Sequence, residues 1–380
     1  MRLRFSTFGP YVDSRDYLEV KKSIQFKNWY NKPYYYCEKF EKEFARYHKR
    51  KYGLLTPNCT TSIHLLLFSL NLKKDDEVIA PECTWIASVS PVIQERAKLI
   101  LCDVNKNNFC ISIESLKKNI SKRTKVIISV NVYGNMADYD ELQKICKKRK
   151  IILIEDAAES LGSYFNKKIS GSFGDASVFS FHRTKTITTG EGGMLLLDNK
   201  KLYKKCKTFR DHGRDEKTKD LFNKYFALKY MPSNMQAALG YSQFKKLKLL
   251  LNKKREIFNF YKKFLYKIEH LVNLNEDDNK TINGCWATVL VLKENKPQLI
   301  KKIFEELKLK KFFARPFFYP ISSLPAYKKI NKNTAKFKSR NPNAYFLNKN
   351  GIVLPSSYLL RQYDIKKICN ILIKLISEKN

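Results

Sequence analysis

Lys185 stands between a short apolar strand holding Val178, Phe179 and Phe181 and a turn holding Gly190, Gly192 and Gly193. Asp156 closes the apolar run 151–154 in a Glu155-Asp156 pair and precedes that lysine by 29 residues. Short continuous apolar runs are the mark of buried parallel strands, so both residues belong at the sheet edge where open α/β folds bind ligands. An amine and an acid fixed there indicate cofactor chemistry rather than simple hydrolysis. A lysine that forms an imine with an aldehyde must lose its proton near neutral pH, although its ordinary pKa is about 10.4. Cys59, Thr60 and Thr61 open the helical pattern CTTSIHLLLFSL, and the free N–H groups of such a start make a seat for phosphate. Trp85 lies at the same end and offers a flat ring. Taken singly, the threonines are an ordinary polar N-cap and the tryptophan a core residue. Taken together, the four groups fit pyridoxal 5′-phosphate. Lys185 would form the imine and Cys59, Thr60 and Thr61 would hold the phosphate; Trp85 would cover the ring and Asp156 would keep the ring nitrogen protonated.

Strands and helices must alternate to bring those groups to one edge. YGLL, LILCDV at 99–104, KVIISVNVYG at 125–134, IILIED and MLLLD read as strands, separated by helical stretches such as ESLKKNI. The alternation predicts an α/β fold with a predominantly parallel central sheet wrapped by helices and right-handed crossovers. NMQAALGYSQFKKLKLLLNKKREIFNFYKKFL reads as one long helix leading to smaller units: CWATVLVL, a helix near 297–309, FFARPFFYP and a last helix from Asp364. The expected organisation is a large domain over 1–250, including the N-terminal segment, and a small C-terminal α+β domain over 251–380. The aromatic cluster Trp29, Tyr30, Tyr34, Tyr35 and Tyr36 is expected to pack in a core. Arg210, His212 and Arg214 read as a solvated loop, with an anion contact as the other reading. Residues 221–231 lack periodicity and read as a surface excursion or a subunit contact.

The chain of 380 residues, 43% hydrophobic and 13% aromatic, is long enough for two domains with cores. Its 73 basic and 36 acidic residues give a net charge of +37, but the lysines are scattered in pairs along the whole length rather than gathered in an arm. The excess therefore reads as solvated faces and compositional drift, although it would steer anionic substrates inward. No helix-turn-helix, zinc-knuckle or RNA-recognition pattern appears, so no nucleic-acid partner is expected. Nine cysteines without a CxxC spacing argue against a disulfide framework, and no metal site is expected. With neither a signal-like apolar stretch nor a run of about 18 apolar residues, the expectation is a cytoplasmic protein without a membrane span.

The segments PNCTTSIHLLL, APECTWIAS, VNVYGNMADYDEL, IEDAAESLG, GSFGDASVFSFHRTKTITTGEGGM, FRDHGR, PSNMQAALGYSQ and RPFFYP resemble successive signatures of the DegT/DnrJ/EryC1/StrS aminotransferases. The resemblance covers about residues 9 to 360, and the ITTGEGGM and AAES wording is most similar to the perosamine-synthase-like members. It implies a fold-type I, pyridoxal-phosphate-dependent enzyme. Such an enzyme moves an amino group, with glutamate the expected donor, to a nucleotide-linked 4-keto-6-deoxy hexose in surface-polysaccharide or deoxyamino-sugar biosynthesis. It further implies Lys185 as imine former and later proton carrier, Asp156 at the pyridine nitrogen and Glu159 near the ring hydroxyl. Thr60, Thr61 and Ser180 would meet the phosphate. Asn234 would reach the phosphate from a second subunit, making a homodimer with shared active sites. Arg315 is carried over as a contact to the substrate phosphate or nucleotide, with bracing of the small domain as its other reading. Cys59, Asn131 and Ser322 depart from the family wording, where glycine, histidine and histidine are frequent. Two other functions fit less well: a sugar dehydratase on the same scaffold, which carries histidine in place of Lys185, and a basic nucleic-acid-binding or regulatory relic.

Overall fold

The structure, a computed structural model, describes residues 8–214, 222–331 and 335–378; Leu221, which opens the stretch without periodicity, lies outside them. The strands β1 (Tyr52–Thr56), β2 (Glu77–Pro81), β3 (Lys98–Cys102), β4 (Thr124–Val130), β5 (Ile152–Asp156), β6 (Ala176–Ser180) and β7 (Gly193–Leu197) form one sheet. Their order is β1-β7-β6-β5-β4-β2-β3. From β3 through β6 every ladder is parallel, whereas β7 runs antiparallel to both β6 and β1. Helices cover both faces, which is why these strands read as apolar runs instead of alternating patterns.

Strand direction decides where the site can lie. β1, β4, β5 and β6 point the same way, so Thr56, Val130, Asp156 and Ser180 finish at one edge. Val130 is paired with Asp156, and Gly193, the first residue of β7, is paired with both Ser180 and Thr56. The helix Cys59–Leu70 leaves from that edge, capped at its start by Asn58 and closed by Asn71 in the left-handed conformation, φ 56°.

A second sheet holds β8 (Val272–Leu274), β9 (Val289–Leu292), β10 (Arg315–Pro316) and β11 (Gly351–Val353), antiparallel throughout in the order β8-β9-β11-β10. Its middle strands, β9 and β11, are buried on both faces. Leu290, Leu292 and Ile352 pack in a core with residues of the helices Leu247–Leu265, Pro297–Leu309 and Gln362–Ser377. Val289, Val291 and Val353 belong to the core of the large sheet.

Three expectations need correction. The long helix is two, Asn234–Lys245 and Leu247–Leu265. It breaks at Lys246, whose buried ammonium lies 2.5 Å from Asp16 and 3.1 Å from Asp13. The strand expected to reach residue 134 stops at Val130, because Tyr133 takes φ 53°, ψ 33° and turns the chain away. Of the N-terminal aromatic cluster only Tyr36 is buried; Trp29, Tyr30, Tyr34 and Tyr35 are exposed on the single chain.

Candidate active site

A cavity of about 990 Å³ opens at the shared strand edge, and its walls include Cys59, Thr60, Thr61, Trp85, Asp156, Glu159, Ser180, Lys185 and Arg315. Nine of the ten residues singled out from sequence thus meet in one place. Asn234 does not. It begins the helix Asn234–Lys245, its Oδ1 accepts the Tyr36 N–H at 2.9 Å, and its buried Nδ2 has no hydrogen-bond partner among the described residues.

Lys185 Nζ donates to Glu159 Oε1 at 3.1 Å, and the other oxygen of Glu159 accepts the Tyr133 N–H at 3.0 Å. Burial pushes the Glu159 carboxyl up from the usual range, with Lys185 pulling the other way. Glu155 and Asp156, as neighbours on a strand, turn to opposite faces. Glu155 goes into a structural network, accepting from Gly171 N–H at 2.7 Å, Phe173 N–H at 3.0 Å and Asn131 Nδ2 at 3.0 Å. Asp156 turns to the cavity, where it accepts from Ser88 Oγ at 2.7 Å and from the Ala158 N–H at 3.1 Å. Burial raises its pKa, and those two bonds and Lys185 oppose the rise.

At the helix start, Thr61 serves the cap: its N–H donates to Asn58 Oδ1 at 2.9 Å and its hydroxyl to Asn58 O at 2.7 Å. The N-cap reading therefore holds for Thr61 in this structure, although Thr61 lines the cavity together with Cys59 and Thr60. Gly193 makes the close approach possible, since a Cβ there would lie 2.4 to 2.5 Å from Asn58 C and O and Cys59 N. Trp85 is not a core residue. It is 62% exposed and sits at the cavity wall near Phe318, ring centroids 6.3 Å apart. Arg315 lies at the same wall, its guanidinium 4.8 Å from the Phe8 ring. Arg210, by contrast, is buried against Glu41 and the Leu55 carbonyl, away from the cavity, and Arg214 pairs loosely with Asp211. Asn131 and Ser322 are likewise structural: Tyr139 Oη donates to Asn131 Oδ1 at 2.8 Å, and Ser322 Oγ donates to Glu82 at 2.7 Å.

Sequence reasoning passed over several lining residues. Ser88 lies three positions after Trp85, one helical turn on, which is the signal that could have linked them. Trp286, Tyr133 and His64 come from segments read only as strand or helix. The ring of Trp286 lies 3.8 Å from Lys185 Nζ. His64 sits between Tyr230 Oη at 2.8 Å and Glu95 Oε1 at 2.7 Å. Among the described residues no group of histidine, cysteine, aspartate or glutamate could hold a metal ion, and no helix is long and apolar enough to cross a membrane.

The model of the DegT/DnrJ/EryC1/StrS aminotransferase family matches residues 11–373. The chain belongs to this family. It is accordingly a pyridoxal-phosphate-dependent sugar aminotransferase. A GDP-perosamine synthase of Vibrio cholerae is 32% identical over 363 residues, 96% of each chain. A GDP-4-keto-6-deoxy-D-mannose 3-dehydratase of Escherichia coli O55:H7 is 29% identical over 303 residues, 74% of this chain and 77% of the relative. Among solved structures, Helicobacter pylori PseC, an aminotransferase of pseudoaminic acid biosynthesis, superposes with a TM-score of 0.89 at 24% identity. It covers 99% of this chain and 100% of PseC, and so shares its fold.

The residues present suit pyridoxal 5′-phosphate. A helix start pressed against a strand that tolerates no Cβ supplies backbone donors for a phosphate. The buried carboxylate of Asp156 and the half-buried amine of Lys185 give the same cavity the acid and the amine that this cofactor requires.

Proposed function

We propose that this protein is a cytoplasmic aminotransferase that moves an amino group from glutamate to a nucleotide-linked 4-keto-6-deoxy hexose, with GDP as the first candidate nucleotide. The reading rests on one observation: Lys185, Glu159 and Asp156 converge in the cavity at whose wall the helix Cys59–Leu70 begins. The relatives that are GDP-perosamine synthases support the sugar class. Residues 1–250 would form the cofactor-bearing domain and 251–380 the smaller one.

Bound pyridoxal phosphate supplies an electron-withdrawing ring that stabilises negative charge at the substrate carbon. Lys185 Nζ would carry the proton to and from that carbon, a general acid–base role worth about 10²–10⁴-fold in rate. Glu159 holds the lysine at 3.1 Å until it is needed, and would meet the ring hydroxyl. Asp156, held by Ser88 and the Ala158 N–H, would keep the pyridine nitrogen protonated. Thr60, Ser180 and the backbone at Cys59 and Thr61 would seat the phosphate, while Trp85 would cover the ring and Arg315 would meet the substrate diphosphate. The site would be completed by Asn234 of a second copy, so that the working unit is a homodimer.

The test is incubation with glutamate and a panel of GDP-, UDP- and dTDP-linked keto-sugars, with products weighed by mass spectrometry. An amino sugar is expected, and Lys185→Ala should lower its rate by at least about 100-fold while leaving circular dichroism unchanged. A mutant that aminates at the wild-type rate would refute the assignment. The dehydratase relative makes elimination the second reading, which a deoxy product without added nitrogen would favour.

A further inference from the structure

Both carbonyls that flank Lys185 are held by side chains from one end of the small sheet. The indole Nε1–H of Trp286 donates to Thr184 O at 2.8 Å, and the Tyr358 hydroxyl donates to Thr186 O at 2.7 Å. Trp286 lies three residues before β9, and Tyr358 five after β11. Because Val289 of β9 pairs antiparallel with Val353 of β11, those two positions fall at the same end of neighbouring strands. Both donors are buried, at 4% and 6% exposure. Each is also fixed in its own right. Trp286 stacks on Phe8 at 4.6 Å and 8° and on Tyr133 at 6.0 Å and 11°. The Lys254 ammonium lies 4.4 Å from the Tyr358 ring and donates to Ser356 O at 2.6 Å.

The Trp286 ring also faces the reactive group, with Lys185 Nζ 3.8 Å from its centroid, a distance at which an aromatic face attracts a cation. The lysine segment is otherwise a loop of the large sheet. A loop alone would leave Nζ several torsions of freedom, and misplacement by about 1 Å can cost about 100-fold in rate.

We infer that Trp286 and Tyr358 are positioning residues for Lys185, a two-point clamp by which the small sheet sets the reach of the catalytic amine. The inference rests on the proposed role of Lys185. It makes the small sheet part of the proton-transfer machinery, beyond any contact it makes with substrate.

Trp286→Phe keeps a ring and loses the N–H, and Tyr358→Phe loses only the hydroxyl, so neither leaves a large void. Each should lower kcat about 3- to 10-fold, the worth of one hydrogen bond, with KM for the keto-sugar within about twofold. The rate at which cofactor-free protein captures pyridoxal phosphate should fall by a similar factor. The double variant should depart from the product of the two single effects, since both act on one lysine. Wild-type kcat and capture rate in both variants would overturn the clamp, as would losses that only track a fall in melting temperature. Borohydride reduction of the wild type, followed by peptide mass mapping, separates this outcome from failure of the underlying reading. A label anywhere other than Lys185 removes the role of the lysine itself; a label at Lys185 with unaffected variants removes only the clamp.

Discussion

Ser88 is a small hydroxyl with a large electrostatic task, since it donates to a carboxylate that burial pushes toward its neutral form. A hydrogen bond to a charged buried group is worth about 1.5–3 kcal/mol. Ser88→Ala should therefore weaken retention of pyridoxal phosphate by about 10-fold or more, and Ser88→Thr should restore it; spectrophotometric titration of the cofactor-free protein measures both. His48 governs a different property. It is fully buried, its Nδ1 lies 2.6 Å from Ser170 O, and burial lowers its pKa to about 3 from an ordinary 6.5. The unfolded chain therefore binds a proton that the folded one refuses, and stability falls as the pH drops from 6.5 toward about 3. The slope from this residue is up to about 1.4 kcal/mol per pH unit. Glu155, Asp156 and Glu159, whose pKa values are raised, act with the opposite sign, so the test must be differential. Urea unfolding of wild type and His48→Gln at pH 7 and pH 5 should show a gap that narrows at pH 5.

At the scale of elements, the break between Asn234–Lys245 and Leu247–Leu265 ties the N-terminal helix Ser14–Ser23 to the body. Lys246 meets Asp16 and Asp13, and Gln243 donates to Asp16 at 2.9 Å and to Tyr11 O at 2.7 Å. Lys246→Met would leave the buried Asp16 carboxylate without its cation, while Asp13 keeps Arg15, and should cost about 3–5 kcal/mol in chemical denaturation. This break was illegible in the sequence, because the cause lies 230 positions away and the helical periodicity runs straight through it. The central strands were legible for the reverse reason: burial on both faces leaves an apolar run that can be read locally. The site divides along the same line. Lys185, Asp156 and the helix start at Cys59 sit at the ends of such runs and were found together. Trp286 and Tyr358 reach Lys185 only through the antiparallel pairing of β9 with β11. Nothing in the spacing of 286 and 358 announces that pairing.

Over the whole molecule the charge of +37 does not collect beside the cavity alone, and many acidic groups are already matched; Glu77, for one, meets both Lys98 and Arg123. The exposed surface that stands out is apolar. Phe26, Trp29 and Tyr30 are exposed on the N-terminal helices, and Tyr35 precedes the Tyr36 whose N–H occupies one end of the Asn234 side chain. The other end of Asn234 is its unpartnered Nδ2. If Asn234 completes the phosphate seat of a second copy, as proposed above, its amide must turn outward from this buried position, and cofactor uptake and subunit association are linked equilibria. Each must then strengthen the other by the same factor. Sedimentation with and without pyridoxal phosphate should show the dimer tightening about 5- to 150-fold on loading, the usual span of such couplings. Asn234→Ala should bring that factor close to one. Dilution would then act as an inhibitor, releasing subunit and cofactor together.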